Sequence, residues 1–430
     1  MEQIAYQSTL PVYGSFDVAV LGGGPAGVCA AVAAARAGAR TLLVEAYGSL
    51  GGMATSALVA PLMTVYDRDG EEPTVGGLFR EIVERLAAHG AAIAPEAIEA
   101  PSLYTSFIER YHRHVTPIDP FYLEIVLDEM VREAGVEVLC YTRFTDCIME
   151  GDAIRAVVLS ALEGPIAVRA HTFIDCTGIA AVAACAGVPT YKGEEQSGVP
   201  QPGTLMFELG GVNDAAYQAY GQRPTRPVKA YLTTQKGRYT VNHYHVYNVD
   251  QANSKSLTDA HSKARYQVLD AYRLLKTETP GFEKAELLRV APVLGVRESR
   301  HVEGDYRITV EDVAQGTKFE DRIAVYGFGM DVHGRSEAEK GNFKIEIAKR
   351  YYIPYRALIP QNCQNLLVAG KTLSCMSQAV GGMRCMPAAM AMGEAAGLAS
   401  AMAVAERTHV RAISVSALQE SLRNGGAILD

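Results

Sequence analysis

Phe16-Asp17-Val18-Ala19-Val20-Leu21, followed directly by Gly22-Gly23-Gly24-Pro25-Ala26-Gly27, decides how this chain is read. The first six residues form a short apolar run of the kind covered on both faces in a parallel sheet. The next six form a glycine turn. Gly22 permits the tight turn, Gly24 has no Cβ to hold backbone away from a pyrophosphate, and Gly27 lets the following helix pack close to the strand. Ala26 to Ala37 is almost entirely Ala, Val and Cys. It reads as a buried helix whose first N–H groups, with Pro25 ahead of them, can sit against phosphate. Thr41 to Val44 is a second strand, and Glu45 at its end falls near the distance at which an acid accepts hydrogen bonds from an adenosine ribose. A 2′-phosphate is repelled there, which counts against NADP.

Ala46 to Met53 reads AYGSLGGM. The Gly51-Gly52 pair lets backbone approach a long extended ligand such as FAD, with Met53 beside it. The pattern resembles the two-dinucleotide-binding-domain flavoproteins, in which FAD lies extended across the sheet. A second strand-turn-helix follows at His171 to Gly178, whose Thr177-Gly178 turn belongs at the carboxyl end of a strand, where open α/β sheets bind ligands. Asn365 to Gly370 is a further strand ending in glycine. Gly381-Gly382-Met383-Arg384-Cys385-Met386-Pro387 then leads into a helix over 388–406, with Pro387 suited to its first turn. A helix starting there can direct its positive end at the pyrimidine side of a flavin, so Gly370, Gly382 and Met383 join the expected cofactor contacts.

Length and composition agree with an enzyme of two domains: 430 residues, 48% of them hydrophobic. The expected class is α/β, a Rossmann-like FAD-binding domain with an inserted α+β substrate domain. The cofactor domain is discontinuous, over residues 1–60, 119–190 and 350–430; the cap comprises 61–118 and 191–349. Within the cap, 239–249 reads as an alternating strand and 259–275 as a helix. The net charge of −8 disfavours nucleic acid and anionic membrane surfaces as partners. Neither an export signal nor a spanning segment is recognised, the apolar stretch 388–404 reading as a packed helix, so a cytoplasmic location is expected. None of the eight cysteines forms CxxC or a metal-ligand spacing. No metal centre is expected.

The chain is also similar, over almost its whole length, to the FAD-dependent oxidoreductase family that opens with LPV-x-G-x-x-DV-x-V-x-GGGPAG. The matching residues are Leu10 to Gly14 onward to Gly27, Thr41 to Glu45, Leu50 to Thr55, Pro280 to Phe282, Gly295 to Arg300, Gly304 to Tyr306, Tyr352 to Arg356 and Asn365 to Gly370. The resemblance implies non-covalent FAD and redox chemistry. It departs at two places. An acid-rich TGDGD is replaced by Thr177-Gly178-Ile179-Ala180-Ala181, and a histidine usual after the last strand is replaced by Ser377.

Hydride transfer from an alcohol or amine needs a base near the leaving proton. His333, two residues from Asp331, is one candidate, since both share a face if the segment is a strand. His243 and His245 are further candidates on the expected 239–249 strand. Arg297 and Arg300 can hold a substrate carboxylate by bidentate bonding. No second glycine-turn unit for NAD(P)H is present, so the expected electron acceptor is oxygen, a quinone or another protein. The reading is therefore a dehydrogenase or oxidase of a small polar metabolite, anionic if the arginines hold a carboxylate. A homo-oligomer is left open. Three alternatives stand beside it: a reductase of activated double bonds, a thiazole-synthase-like enzyme, and a non-catalytic flavin-bound partner protein.

Overall fold

The computed structural model describes residue 4 and residues 7–221, 228–339 and 342–430. Its main sheet is built from Val12–Leu21 (β1), Thr41–Val44 (β2), Glu137–Leu139 (β3), Arg143–Glu150 (β4), Ala153–Ala161 (β5) and Gly164–Asp175 (β6), in the order β3-β2-β1-β6-β5-β4. Strand Leu366–Val368 also pairs with β6. The pairs among β3, β2, β1, β6 and this late strand are parallel, while β4, β5 and β6 form an antiparallel run. The carboxyl ends of β1, β2, β6 and Leu366–Val368 therefore lie along one edge, where their loops meet.

Helix Pro25–Arg36 (α1) returns from β1 with nearly every residue buried. It is covered on one side by the sheet and on the other by Met386–Glu406, the helix read from 388 onward. That long helix is apolar enough to cross a membrane by length and composition, yet most of it is buried within the protein. The two helices touch through small residues. A Cβ on Gly393 would stand 2.0 Å from Ala26 O, and one on Gly397 would stand 2.2 Å from Ala30 O. Helix Gly77–Ala88 (α2), within the segment assigned to the cap, packs its apolar face of Leu78, Phe79, Ile82, Val83 and Leu86 into this same larger core. Pro120–Glu133 (α3) lies beside it, its first turn held by the Asp119 side chain, which accepts from Phe121 N.

A second hydrophobic core surrounds a four-stranded antiparallel sheet made of Phe207–Gly210 (β7), Ala230–Leu232 (β8), Tyr239–Val241 (β9) and Glu286–Val290 (β10), in the order β8-β9-β7-β10. Helix Ser254–Glu278 (α4) packs its Ala260, Ala264, Val268, Ala271 and Leu275 stripe into that core. Buried Glu208 on β7 pairs with both Arg238 (2.6 Å) and Arg289 (2.8 Å). The expected strand 239–249 ends at Val241. Its partner β8 begins at Ala230; one further bond runs from Asn242 N to Lys229 O (3.0 Å), and 242–249 continues as loop with one bridge from Val246 to Gly203.

Candidate active site

The glycine turn is shaped as a cradle. Gly22 has φ +107, and a Cβ there would meet Cys176 O at 2.4 Å; a Cβ on Gly27 would meet Gly22 O at 1.8 Å. Gly24 is different: a Cβ there meets no protein atom within 4 Å. No side chain caps α1, so its first N–H groups are left to a ligand. Gly51 N donates to Gly23 O (2.8 Å), and a Cβ on Gly52 would stand 3.0 Å from Gly24 Cα. The second glycine pair thus lies against the first. Glu45 is buried, with Oε2 accepting from Gly23 N (2.7 Å) and Oε1 from Tyr47 N (2.8 Å). The carboxylate clamps the turn to the 46–53 loop, and each oxygen keeps a lone pair for a ribose hydroxyl. These features fit the ADP half of FAD.

The second turn adjoins the first. Thr177 Oγ1 donates to buried Asp175 (2.6 Å), and Asp175 also accepts from the N–H groups of Val182 and Ala183. This orders Gly178, φ +72, where an added Cβ would stand 3.5 Å from Lys371 Cε. Gly370, φ +90, ends the late strand against Ala26 and Ala389. At Gly382 a Cβ would strike Tyr351 Oη (2.1 Å), Met330 Cε (2.7 Å) and Phe328 O (2.9 Å), so the missing side chain makes room for protein on that side. The Met383 side chain is likewise core, with no exposed surface.

The segment that presses on those glycines carries the reactive groups. Strand Met330–His333 (β11) places Asp331 and His333 on one face, with His333 Nε2 3.0 Å from Asp331 Oδ2. Arg384, from the turn before the long helix, donates Nη2 to Asp331 O and Oδ2, each at 2.9 Å. Burial acts to raise the Asp331 carboxyl, but the His333 hydrogen bond and the Arg384 and Arg297 charges hold it well below the usual range. Burial, then Arg297, pushes the His333 imidazole down to about 4, so it is neutral at pH 7. Its Nδ1 is buried without a hydrogen-bond partner.

Arg297 and Asp331 act electrostatically on the His333 ring, His245 touches it, and Lys371 bonds Val296 O next to Arg297, so these groups gather around one candidate compartment. Each keeps accessible surface, 31% of the side chain for Asp331, while protein closes around it. The His245 ring meets that of His333 edge-on at 4.6 Å, and burial, then Arg297, takes its pKa to about 3. Arg297 Nη1 donates to Pro202 O (2.8 Å) and Thr204 Oγ1 (2.9 Å). Burial and the Arg384 charge bring its pKa down to about 10. Lys371 Nζ donates to Gln251 Oε1 and Val296 O, both at 2.7 Å, and burial lowers it to about 7.

The structure thus brings together Arg297, His245 and His333. Arg300 is not with them: it sits in the strand Arg300–Val302, opposite Lys192 and near Asp250. A spacing of three sends the two arginines to opposite sides of the chain, so they do not form one clamp. His243 sits at the side, packed on Tyr244 and lowered to about 4 by burial and Lys229. His112, which reads in sequence as a surface loop residue, is instead half-buried over Tyr231 and edge-on to Phe328.

Sequence reasoning missed a buried hub behind β11. Glu298 accepts from Gln201 N (2.8 Å), Arg335 Nη1 (3.0 Å) and Ser377 Oγ, and faces His301 Nε2 at 3.4 Å. Gln201 Oε1 in turn accepts from His333 N (3.2 Å), and Arg335 Nη2 donates to Ser377 Oγ (2.7 Å). Ser377, at the place of the family's histidine, is therefore a structural partner of Glu298.

Comparison with known proteins agrees with this architecture. The profile of the family described as FAD dependent oxidoreductase matches residues 17–422. The thiamine thiazole synthase of Aeropyrum pernix is 31% identical over 188 residues, which is 41% of this chain and 60% of that protein's length. The p-nitrophenol 4-monooxygenase of Pseudomonas putida DLL-E4 superposes with a TM-score of 0.52 at 12% identity, covering 95% of this chain and 84% of that one. That likeness speaks to the fold alone. The matching family is one of FAD-dependent redox enzymes. With its profile matched from residue 17 to residue 422, the chain belongs to the FAD-dependent oxidoreductase family.

Proposed function

We propose that this enzyme is a dehydrogenase or oxidase of a small polar metabolite, with His333 accepting the proton released as the substrate is oxidised. The observation that carries the reading is the state of His333. Asp331 is ionised and bonded at Nε2, so the ring proton resides on Nε2 and the buried Nδ1 presents its lone pair. A neutral imidazole with a fixed tautomer and one unclaimed nitrogen is suited to general-base work. FAD, when bound, supplies the acceptor for the hydride, that is, for the two electrons of the broken C–H bond. The O–H or N–H proton passes to His333 Nδ1. Asp331, itself held by Arg384, stabilises the imidazolium so formed. His245 and His112 line the compartment as neutral rings. Oxygen, a quinone or a protein acceptor then reoxidises the enzyme.

The partial likeness to a thiamine thiazole synthase supports a second reading, in which the fold carries its dinucleotide through chemistry other than flavin turnover. Anaerobic addition of alcohols, amines, hydroxy acids and amino acids to the FAD-loaded protein separates the two. Loss of flavin absorbance with one of these classes supports the first reading, and bleaching by dithionite alone defeats it.

A further inference from the structure

Several recessed arginines among the described residues are matched to carboxylates, and Arg297 is not. Arg238 and Arg289 share Glu208, Arg335 has Glu298, and Arg384 has Asp331. Among the described residues no carboxylate lies within ion-pair distance of Arg297, whose Nη1 is spent on a backbone carbonyl and a threonine hydroxyl. Nothing described accepts from its Nε or Nη2. Those two bonds to Pro202 and Thr204 fix the guanidinium plane, so the unused donors are pre-organised rather than waving in solvent. Arg384 adds positive charge beside Arg297 and Lys371, while Asp331, the acid that acts on Arg297, is already paired by Arg384. A partly enclosed cation is costly without a counter-charge, and among the described residues no carboxylate forms an ion pair with this one.

We propose that the counter-charge is the substrate's own carboxylate, seated on Arg297. The proposal rests on the reading of this compartment as the substrate site. It narrows the substrate class to acids that carry the oxidisable C–OH or C–NH group near the carboxylate, since Arg297 and His333 act on each other across the compartment. Arg297 binds and orients, and His333 takes the proton. The lowered basicity of Arg297 agrees with a cation awaiting its partner.

Redox-inert acids test this without turnover. Acetate, benzoate and succinate, each against its amide, are titrated into oxidised FAD-loaded protein by calorimetry and by flavin difference spectra. At least one acid is expected to bind, with its amide about 30-fold or more weaker, and Arg297→Met is expected to lose a similar factor. Arg297→Lys, which keeps the charge but not the fork, should fall between them and serves if the methionine variant does not retain FAD. Equal binding of acids and amides, wild-type affinity in either variant, or no acid binding overturns the proposal. Bleaching by an uncharged alcohol with no acid bound removes the carboxylate and leaves the oxidase reading intact. Acid binding with no compound able to bleach the flavin does the reverse.

Discussion

His333 Nε2 and Asp331 Oδ2 stand 3.0 Å apart on one face of a four-residue strand, directly against the turn that opens the long C-terminal helix. The pairing assigns a direction to proton transfer, because it occupies one ring nitrogen and leaves the other. His333→Asn should slow anaerobic flavin reduction by about 10²- to 10⁴-fold without loss of bound FAD. Since burial holds the imidazole near 4, the base is free at neutral pH. The reduction rate should therefore be independent of this group above about pH 5 and fall as pH drops through about 4. Stopped-flow reduction as a function of pH reads both effects. Asp331→Asn should also slow reduction, because the neutral amide no longer supplies the negative charge that stabilises the imidazolium.

The two inner glycines of the turn are expected to separate folding from cofactor binding. Gly24 has φ −70, open to any residue, and its Cβ direction meets no protein atom. Gly24→Ala should leave the thermal midpoint of the apoprotein within about 0.5 kcal/mol of wild type while weakening FAD by roughly tenfold or more. Gly27→Ala places a Cβ 1.8 Å from Gly22 O and should cost about 1–3 kcal/mol of stability as well. Thermal denaturation with and without FAD distinguishes them.

Glu394 gives the long helix a pH dependence. Its buried carboxyl accepts from Leu78 N at 3.1 Å at the start of α2, and burial raises its pKa to about 7 against that bond. The folded state therefore holds a proton that the unfolded chain, with an ordinary glutamate pKa, releases between about pH 4.5 and 7. Stability from this group is full below that window and declines as pH rises through it, by up to about 3 kcal/mol. Glu394→Gln keeps an acceptor for Leu78 and should flatten the melting temperature over the window.

Glu208 should be the most sensitive single charge beside the second hydrophobic core. It is buried between two arginines, and Glu208→Ala leaves them facing each other without a counter-ion. A loss of about 3–5 kcal/mol is expected by denaturant unfolding. Replacing Arg238 alone should cost less, because Arg289 still neutralises the carboxylate.

How much of this was legible in sequence followed the range of the interactions. The segment from Phe16 to Glu45 could be read because a strand, a turn and a helix in succession depend on neighbours in the chain. The Asp331 and His333 pair was legible for the same reason, as a period of two on one strand. His243 failed because strand length is set by the partner, and β8 stops at Ala230. The protein packing on Gly382 was not legible, because a glycine says that something comes close without saying what. The Glu298 hub gathers Gln201, Arg335 and Ser377 from segments 37 to 97 residues away. No local pattern encodes that convergence.

The most direct test is anaerobic single-turnover reduction of FAD-loaded wild-type and His333→Asn protein by a small hydroxy or amino acid, followed at the flavin absorbance. The account predicts bleaching of the wild type and a rate lower by at least about 100-fold in the variant at equal FAD content. Equal rates in the two proteins, or a wild type that no metabolite reduces, would contradict it.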